Sequence, residues 1–200
     1  MATTKKRIDR RVERTRQVLQ QAFREVVQEK GFAATSIQDI AARANVNRGT
    51  FYLHFTDKYM LLDTFIREDL QHLFANTLPQ NSGWNKQTLR LLIQTLLGYF
   101  ERKYRHQQHV PQAVAPLVDQ AVHGELTGLL LMWLKQSEDE ETHWQIPLET
   151  IARVVGWAIF GPVIQWSQEE TTIPLEQMTN DILLVITEGV AQLARRALLE

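Results

Sequence analysis

Apolar residues recur along most of this chain at helical spacing, and nowhere do they alternate over a length that a half-buried strand requires. Leu19, Phe23 and Val26, with Val12 before them and Ala22 beside them, share one face of a segment from about residue 9 to Lys30. Gly31 is placed to end that helix as a C-terminal cap. Thr35 or Ser36 can cap a short second helix whose Ile37, Ile40, Ala41 and Ala44 form an amphipathic stripe. Asn45 tolerates the left-handed conformation of a tight turn, and Asn47 can cap a third helix. On that helix Phe51 and Phe55 lie four residues apart and point inward, with Val46, against the first two stripes. A three-helix unit is expected.

Thr56 and Asp57 start a long fourth helix, with Leu62, Phe65, Ile66, Leu70 and Leu73 inward, that runs to Pro79 and reads as a connector. Leu89, Leu92, Ile93, Leu96, Phe100 and Tyr104 mark another helix. Pro111 and Pro116 interrupt the chain before Val118, Ala121, Val122, Leu129 and Trp133 resume the pattern. The acidic EDEE at 138–141 reads as a loop, and two final helices are expected at about 148–168 and 174–198, the first kinked at Pro162. The pattern therefore predicts an all-α fold of about nine helices and no sheet.

Two hundred residues with 44% apolar content suffice for one large or two small cores. The absence of cysteine excludes disulfides, thiolate zinc sites and cysteine nucleophiles. No apolar run follows the basic start MATTKKRIDRRVERTR, and LTGLLLMWL at 126–134 is about half the roughly 20 residues of a bilayer crossing, so a cytoplasmic protein without membrane contact is expected. The net charge of −1 conceals an asymmetry. Residues 1–60 hold 12 Lys and Arg against 6 Asp and Glu, a net of +6, leaving 10 against 17, a net of −7, for residues 61–200. Only the first segment suits a polyanion, which it can attract by counterion release.

A short helix, a turn and a second short helix, with small Ala41 where the two cross, make a helix-turn-helix, whose second helix enters the major groove of DNA. That helix begins with Asn47, Arg48, Gly49 and Thr50. Glycine in a helix costs about 1 kcal/mol relative to alanine, so its presence asks for a reason. A close approach of the backbone to base edges or phosphate supplies one. Arg48 can bridge guanine O6 and N7, and Thr50 can hydrogen-bond a base or touch a thymine methyl. Tyr52 lies about 100° around the helix from Phe51 and so points out of the core; with His54 and Lys58 it offers polar tips suited to phosphate.

The stretch TSIQDIAARANVNRGTFYLHFTDKYMLL, residues 35–62, resembles the DNA-binding signature of TetR-family transcriptional regulators (TetR/AcrR type). The resemblance joins the helix-turn-helix to the run FYLHF and then to Lys58, and covers residues 9 to about 70. Asn45 stands where the family most often has glycine, and Leu53 where a second tyrosine is frequent. The resemblance implies a helix-turn-helix domain at 9–70, its core at about 35–54, joined by the connector helix to a larger helical ligand-binding and dimerisation domain at 71–200. It further implies that Gly49 and Thr50 meet the DNA, that Tyr52, His54 and Lys58 hold phosphates, and that Ser36 starts a phosphate-contacting helix.

For an effector pocket the aromatic candidates are Phe74, Tyr99, Phe100, Tyr104, Trp133 and Phe160, with Trp144, Met132 and His123 as further additions. A stripe of aromatics at helical spacing is equally the signature of plain core filling. In the family the last two helices pair across a two-fold axis, which makes Trp157, Ile159, Trp166, Ile182 and Ile186 the candidate seam. His106, His109 and His123 could be assembled into a metal site, but the first two sit by Pro111, where a helix ends and histidines meet carbonyls or water. No HExxH, GxSxG or glycine-rich phosphate loop is present.

These residues together predict a homodimeric regulator, binding a palindromic operator in double-stranded DNA and released from it by an unknown small-molecule effector, with no metal, cofactor or catalytic residue. An activator or protein-partnered regulator of the same fold, an all-helical metal-dependent enzyme, and a non-specific nucleoid protein are the competing readings.

Overall fold

The computed structural model describes residues 10–104, 114–137, 142–169, 173–191 and 194–196. Among these, eight helices form two compact units, Met1–Phe65 and Ile66–Glu200. The fold is all-α. A single three-residue antiparallel pairing, Thr142–Trp144 (β1) with Ala194–Arg196 (β2), departs from the expected absence of strands. Segments of that length carry no readable alternation. The expected last helix is correspondingly shorter, ending at Ala191.

In the first unit α1 (Arg10–Ala34) breaks at Gly31, whose φ of 77° belongs to the left-handed region that glycine enters freely. Leu19, Ala22, Phe23, Val26 and Phe32 face inward, whereas Val12 is exposed, beyond the reach of the core. Ser36 caps α2 (Ile37–Arg43) in a reciprocal capping box with Asp39. Lys30, then Ser36, hold the Asp39 carboxyl well below its ordinary range by donating hydrogen bonds to it. Across the same interface Arg43 reaches Glu25 at 3.1 Å and Glu29 at 2.6 Å, tying α2 back to α1. Asn47 caps α3 (Arg48–Tyr52), and Asp57 Oδ1 accepts from the Tyr59 and Met60 amides to start α4 (Lys58–Thr77).

The second unit takes up α4 from Ile66, then α5 (Lys86–Tyr104), α6 (Ala115–Gln136), α7 (Leu148–Gln168) and α8 (Leu175–Ala191). Pro116 sits in the first turn of α6, where its missing N–H has no helical partner to lose. The inward face of α4 is Leu61, Ile66, Leu70 and Phe74, while the expected Leu62, Phe65 and Leu73 are half-buried. Gly156 lets α6 and α7 approach closely, since a Cβ there would stand 3.2 Å from Thr127 Oγ1 and 3.3 Å from the His123 ring. Polar links clip the bundle at its edges. Arg67 and Gln71 on α4 both donate to Glu125 on α6, and Arg90 and Gln94 on α5 both donate to Glu176 on α8.

Candidate nucleic-acid interface

Local chemistry builds the helix-turn-helix from its caps outward. Asn45 adopts φ 53°, turning the chain after α2, and the Val46 amide donates back to the Ala41 carbonyl at 3.0 Å to close the corner. Two residues on, Asn47 Oδ1 accepts from the Gly49 amide at 2.8 Å, which fixes the first turn of α3. Phe51 and Phe55 anchor that helix from below, fully buried with ring centroids 5.8 Å apart. Their burial dictates what faces outward: Asn47, Arg48, Gly49, Tyr52 and Leu53 are exposed, and Thr50 and His54 half-exposed.

Gly49 decides what this edge is for. Its φ is not in the left-handed region, so the backbone conformation does not demand glycine. A Cβ built there would meet only Asn47 Oδ1, at 3.4 Å, an ordinary van der Waals contact. Nothing within the described chain needs this residue to lack a side chain, and an alanine would make the better helix. Beside Gly49, Arg48 and Tyr52 form one unit: Arg48 Nη2 donates to Tyr52 Oη at 2.9 Å and the guanidinium lies 5.5 Å from the ring centroid.

Residues 19–64 match the family model for bacterial regulatory proteins of the tetR family. That segment is a TetR-type DNA-binding region. An uncharacterised HTH-type transcriptional regulator of Bacillus subtilis, YxbF, is 44% identical over 79 residues, which are 37% of this chain and 21% of YxbF. Thus the chain spans about a fifth of the length of that relative. The HTH-type transcriptional repressor DhaR of a Mycobacterium species is 25% identical over 190 residues, 88% of this chain and 96% of that one. Among solved structures, FadR of Thermus thermophilus, a TetR-family repressor in complex with lauroyl-CoA, superposes with a TM-score of 0.54 over 92% of this chain and 98% of that one at 20% identity, a likeness of fold.

Two of the contacts that the TetR resemblance implies are otherwise engaged. Lys58 Nζ donates to the carbonyls of Phe32 at 3.0 Å, Ala33 at 3.3 Å and Thr35 at 2.8 Å. In this arrangement the three carbonyls take up the three donors of the ammonium. Lys58 instead neutralises the carbonyl end of α1 and fixes the corner into α2. Likewise the Ser36 hydroxyl accepts from the Asp39 amide and donates to the Asp39 carboxylate, a local cap rather than an outward donor. Replacing Lys58 by Met keeps the stem and removes the donors; the expected result is a loss of about 1–2 kcal/mol of stability in denaturant titration, with the salt dependence of DNA binding unchanged.

The seam proposed for a TetR-type dimer needs correction as well. Ile159, Trp166, Ile182 and Ile186 are buried within the single chain, Trp166 donating its indole N–H to the Ile173 carbonyl at 2.9 Å. Their area is already spent in the chain's own core. Trp157 is the exposed member of the five, held by a stacked His123 ring at 4.3 Å, and the other large apolar residues exposed on α7 and α8, among the described residues, are Val154, Leu184 and Val185.

Of the aromatic effector candidates, Phe74, Phe100, Trp133 and Phe160 are buried, with Phe100 and Phe160 brought to 5.8 Å. Tyr99 is half-buried, donates to Asp69 and accepts from Lys103, and so is tied into an α4–α5 network. Met132 is exposed, away from the core. The indole N–H groups of Trp133 and Trp144 are buried without a hydrogen-bond partner among the described residues. The side chain of Tyr104, and His106 and His109, lie outside the described residues. Among the described residues no group of three His, Cys, Asp or Glu could hold a metal ion.

Proposed function

We propose that the protein is a homodimeric, sequence-specific DNA-binding regulator of transcription, a repressor that leaves its palindromic operator when a small-molecule effector binds. The observation that carries this reading is Gly49, a helix glycine on an exposed edge with no cause among the described residues. Residues 9–70 serve as the DNA-binding domain and 71–200 as the regulatory and dimerisation domain. Asn47, Arg48, Gly49 and Thr50 read base edges, with Arg48 matched to guanine, and Tyr52 and His54 set the helix on flanking phosphates. Ser36 contributes by capping α2, and Lys58 by holding the corner between α1 and α2. The protein works in the cytoplasm; no helix of the described residues is long and apolar enough to cross a membrane.

The effector side rests on Phe74, Tyr99, Phe100, Trp133 and Phe160. The lauroyl-CoA held by the fold relative supports an effector with a long apolar part. An unpaired buried indole N–H costs about 1–3 kcal/mol, a cost that an acceptor on such a molecule would remove at Trp133. Release then follows from population shift: an effector that prefers the DNA-incompetent arrangement lowers operator affinity by its differential binding energy, about 1–3 kcal/mol in typical coupling. Because α4 (Lys58–Thr77) runs through the division between the units at 65/66, it is the element through which that preference is transmitted.

Selection of bound duplexes from a random pool tests the reading. The expected product is a palindrome whose half-sites lie about one helical turn or a small multiple apart, bound with an affinity that falls at least about tenfold between roughly 50 and 200 mM salt. Enrichment of no sequence, or binding indifferent to salt, overturns it.

A further inference from the structure

Leu53 is 83% exposed, more than any other large apolar side chain among the described residues. A single exposed leucine is ordinary on a protein surface; the position of this one is not. It follows Tyr52 as the C-cap of α3 in helical conformation, φ −73° and ψ −19°, with its amide donating to the Thr50 and Phe51 carbonyls. It therefore keeps the helical register and lies four residues, about one turn, beyond Gly49 on the same face. Phe51 and Phe55 turn the opposite face into the core. The outward edge of α3 thus presents an absent side chain and then a branched apolar one, flanked by the Arg48–Tyr52 pair.

We propose that Leu53 is a specificity residue that reads a thymine through its C5-methyl group. This rests on the DNA-binding reading above. Leucine can neither donate nor accept a hydrogen bond, and among the groups that base pairs display in the major groove the thymine methyl is the apolar one. Close approach at Gly49 brings the groove to the helix, and Leu53, one turn further along, is the next side chain on that edge. A surface so arranged prefers a thymine to a cytosine at the facing position by contact with the methyl, while Arg48 reads its base by hydrogen bonds.

The test uses the full chain and the duplex it selects, with each thymine replaced in turn by deoxyuridine, which removes the methyl and nothing else. At one thymine position the replacement is expected to weaken binding about fourfold in one half-site and roughly fifteenfold in both, the value of one buried carbon. The Leu53→Ala protein should bind with the same salt dependence and show no difference between thymine and deoxyuridine there. Leu53→Ala changes an exposed side chain, and an unaltered melting temperature serves as the folding control. A methyl preference that persists in Leu53→Ala, or a loss of affinity in Leu53→Ala that is the same for both duplexes, as contact with sugar alone would give, overturns the proposal and leaves DNA binding intact. A wild-type chain that selects no duplex overturns both readings.

Discussion

Gly49→Ala is expected to stabilise the protein while impairing its function. The alanine gains about 0.5–1 kcal/mol of helix preference, and its Cβ meets only Asn47 Oδ1 at 3.4 Å, so no clash offsets the gain. For a unit of this size that corresponds to a rise of roughly 4–8 °C per kcal/mol in melting temperature. Affinity for the selected duplex should fall at least about tenfold, because two added methyl groups, one per half-site, hold both backbones away from the surface they must touch. Every hydrogen bond made from the same turn, at Asn47, Arg48 and Thr50, then lengthens together. The opposite signs matter most here. A variant that misfolds loses stability and binding at once, whereas this one separates them. Thermal unfolding and binding to the selected duplex, measured on one preparation, decide it; unchanged or tighter binding removes the physical basis for placing this edge on DNA.

The features that could be read along the sequence are those whose causes are local. Ser36, Asn45 and Asn47 sit within three residues of the amides and carbonyls they satisfy, so the caps and the turn are visible in the order of residues alone. Gly31 is visible for the same reason. Lys58 is different. Its carbonyl partners lie 23 to 26 residues away, and spacing along one helix does not show that its ammonium turns back toward the end of α1. The seam residues fail for another reason. Ile182, Leu183, Leu184, Val185 and Ile186 are five consecutive apolar residues, a run with no polar position to mark which side of α8 faces out. Packing against α5 and α7 makes that choice, burying Ile182, Leu183 and Ile186 and leaving Leu184 and Val185 exposed. Leu61 and Leu62 on α4 pose the same ambiguity one residue apart.

The same exposed pair gives the second large expected effect. Leu184 is 58% and Val185 68% exposed, with exposed Asp181 and Glu188 three residues to either side, so that outward face of α8 is an apolar centre within an acidic rim. On α7, Val154 and Trp157 are exposed three residues apart, and the His123 ring stacked on Trp157 fixes the indole before any partner arrives. A large, pre-oriented aromatic beside aliphatic side chains is the usual centre of an energetic hot spot. Placed across a two-fold axis, each residue of such a face meets its own copy or a near neighbour of it. A carboxylate introduced there is buried and repelled twice over. Leu184→Glu with Val185→Glu is therefore expected to convert a dimer into a monomer in sedimentation at micromolar concentration. Helix content should be unchanged, since neither residue belongs to the core of the single chain. Affinity for the palindrome should fall on the order of a hundredfold or more, because two reading helices no longer share one binding event. Binding to a single half-site should be unaffected. A double variant that stays dimeric would place the seam elsewhere on the molecule. One that becomes monomeric yet keeps its affinity for the palindrome would mean that the two α3 helices never act together.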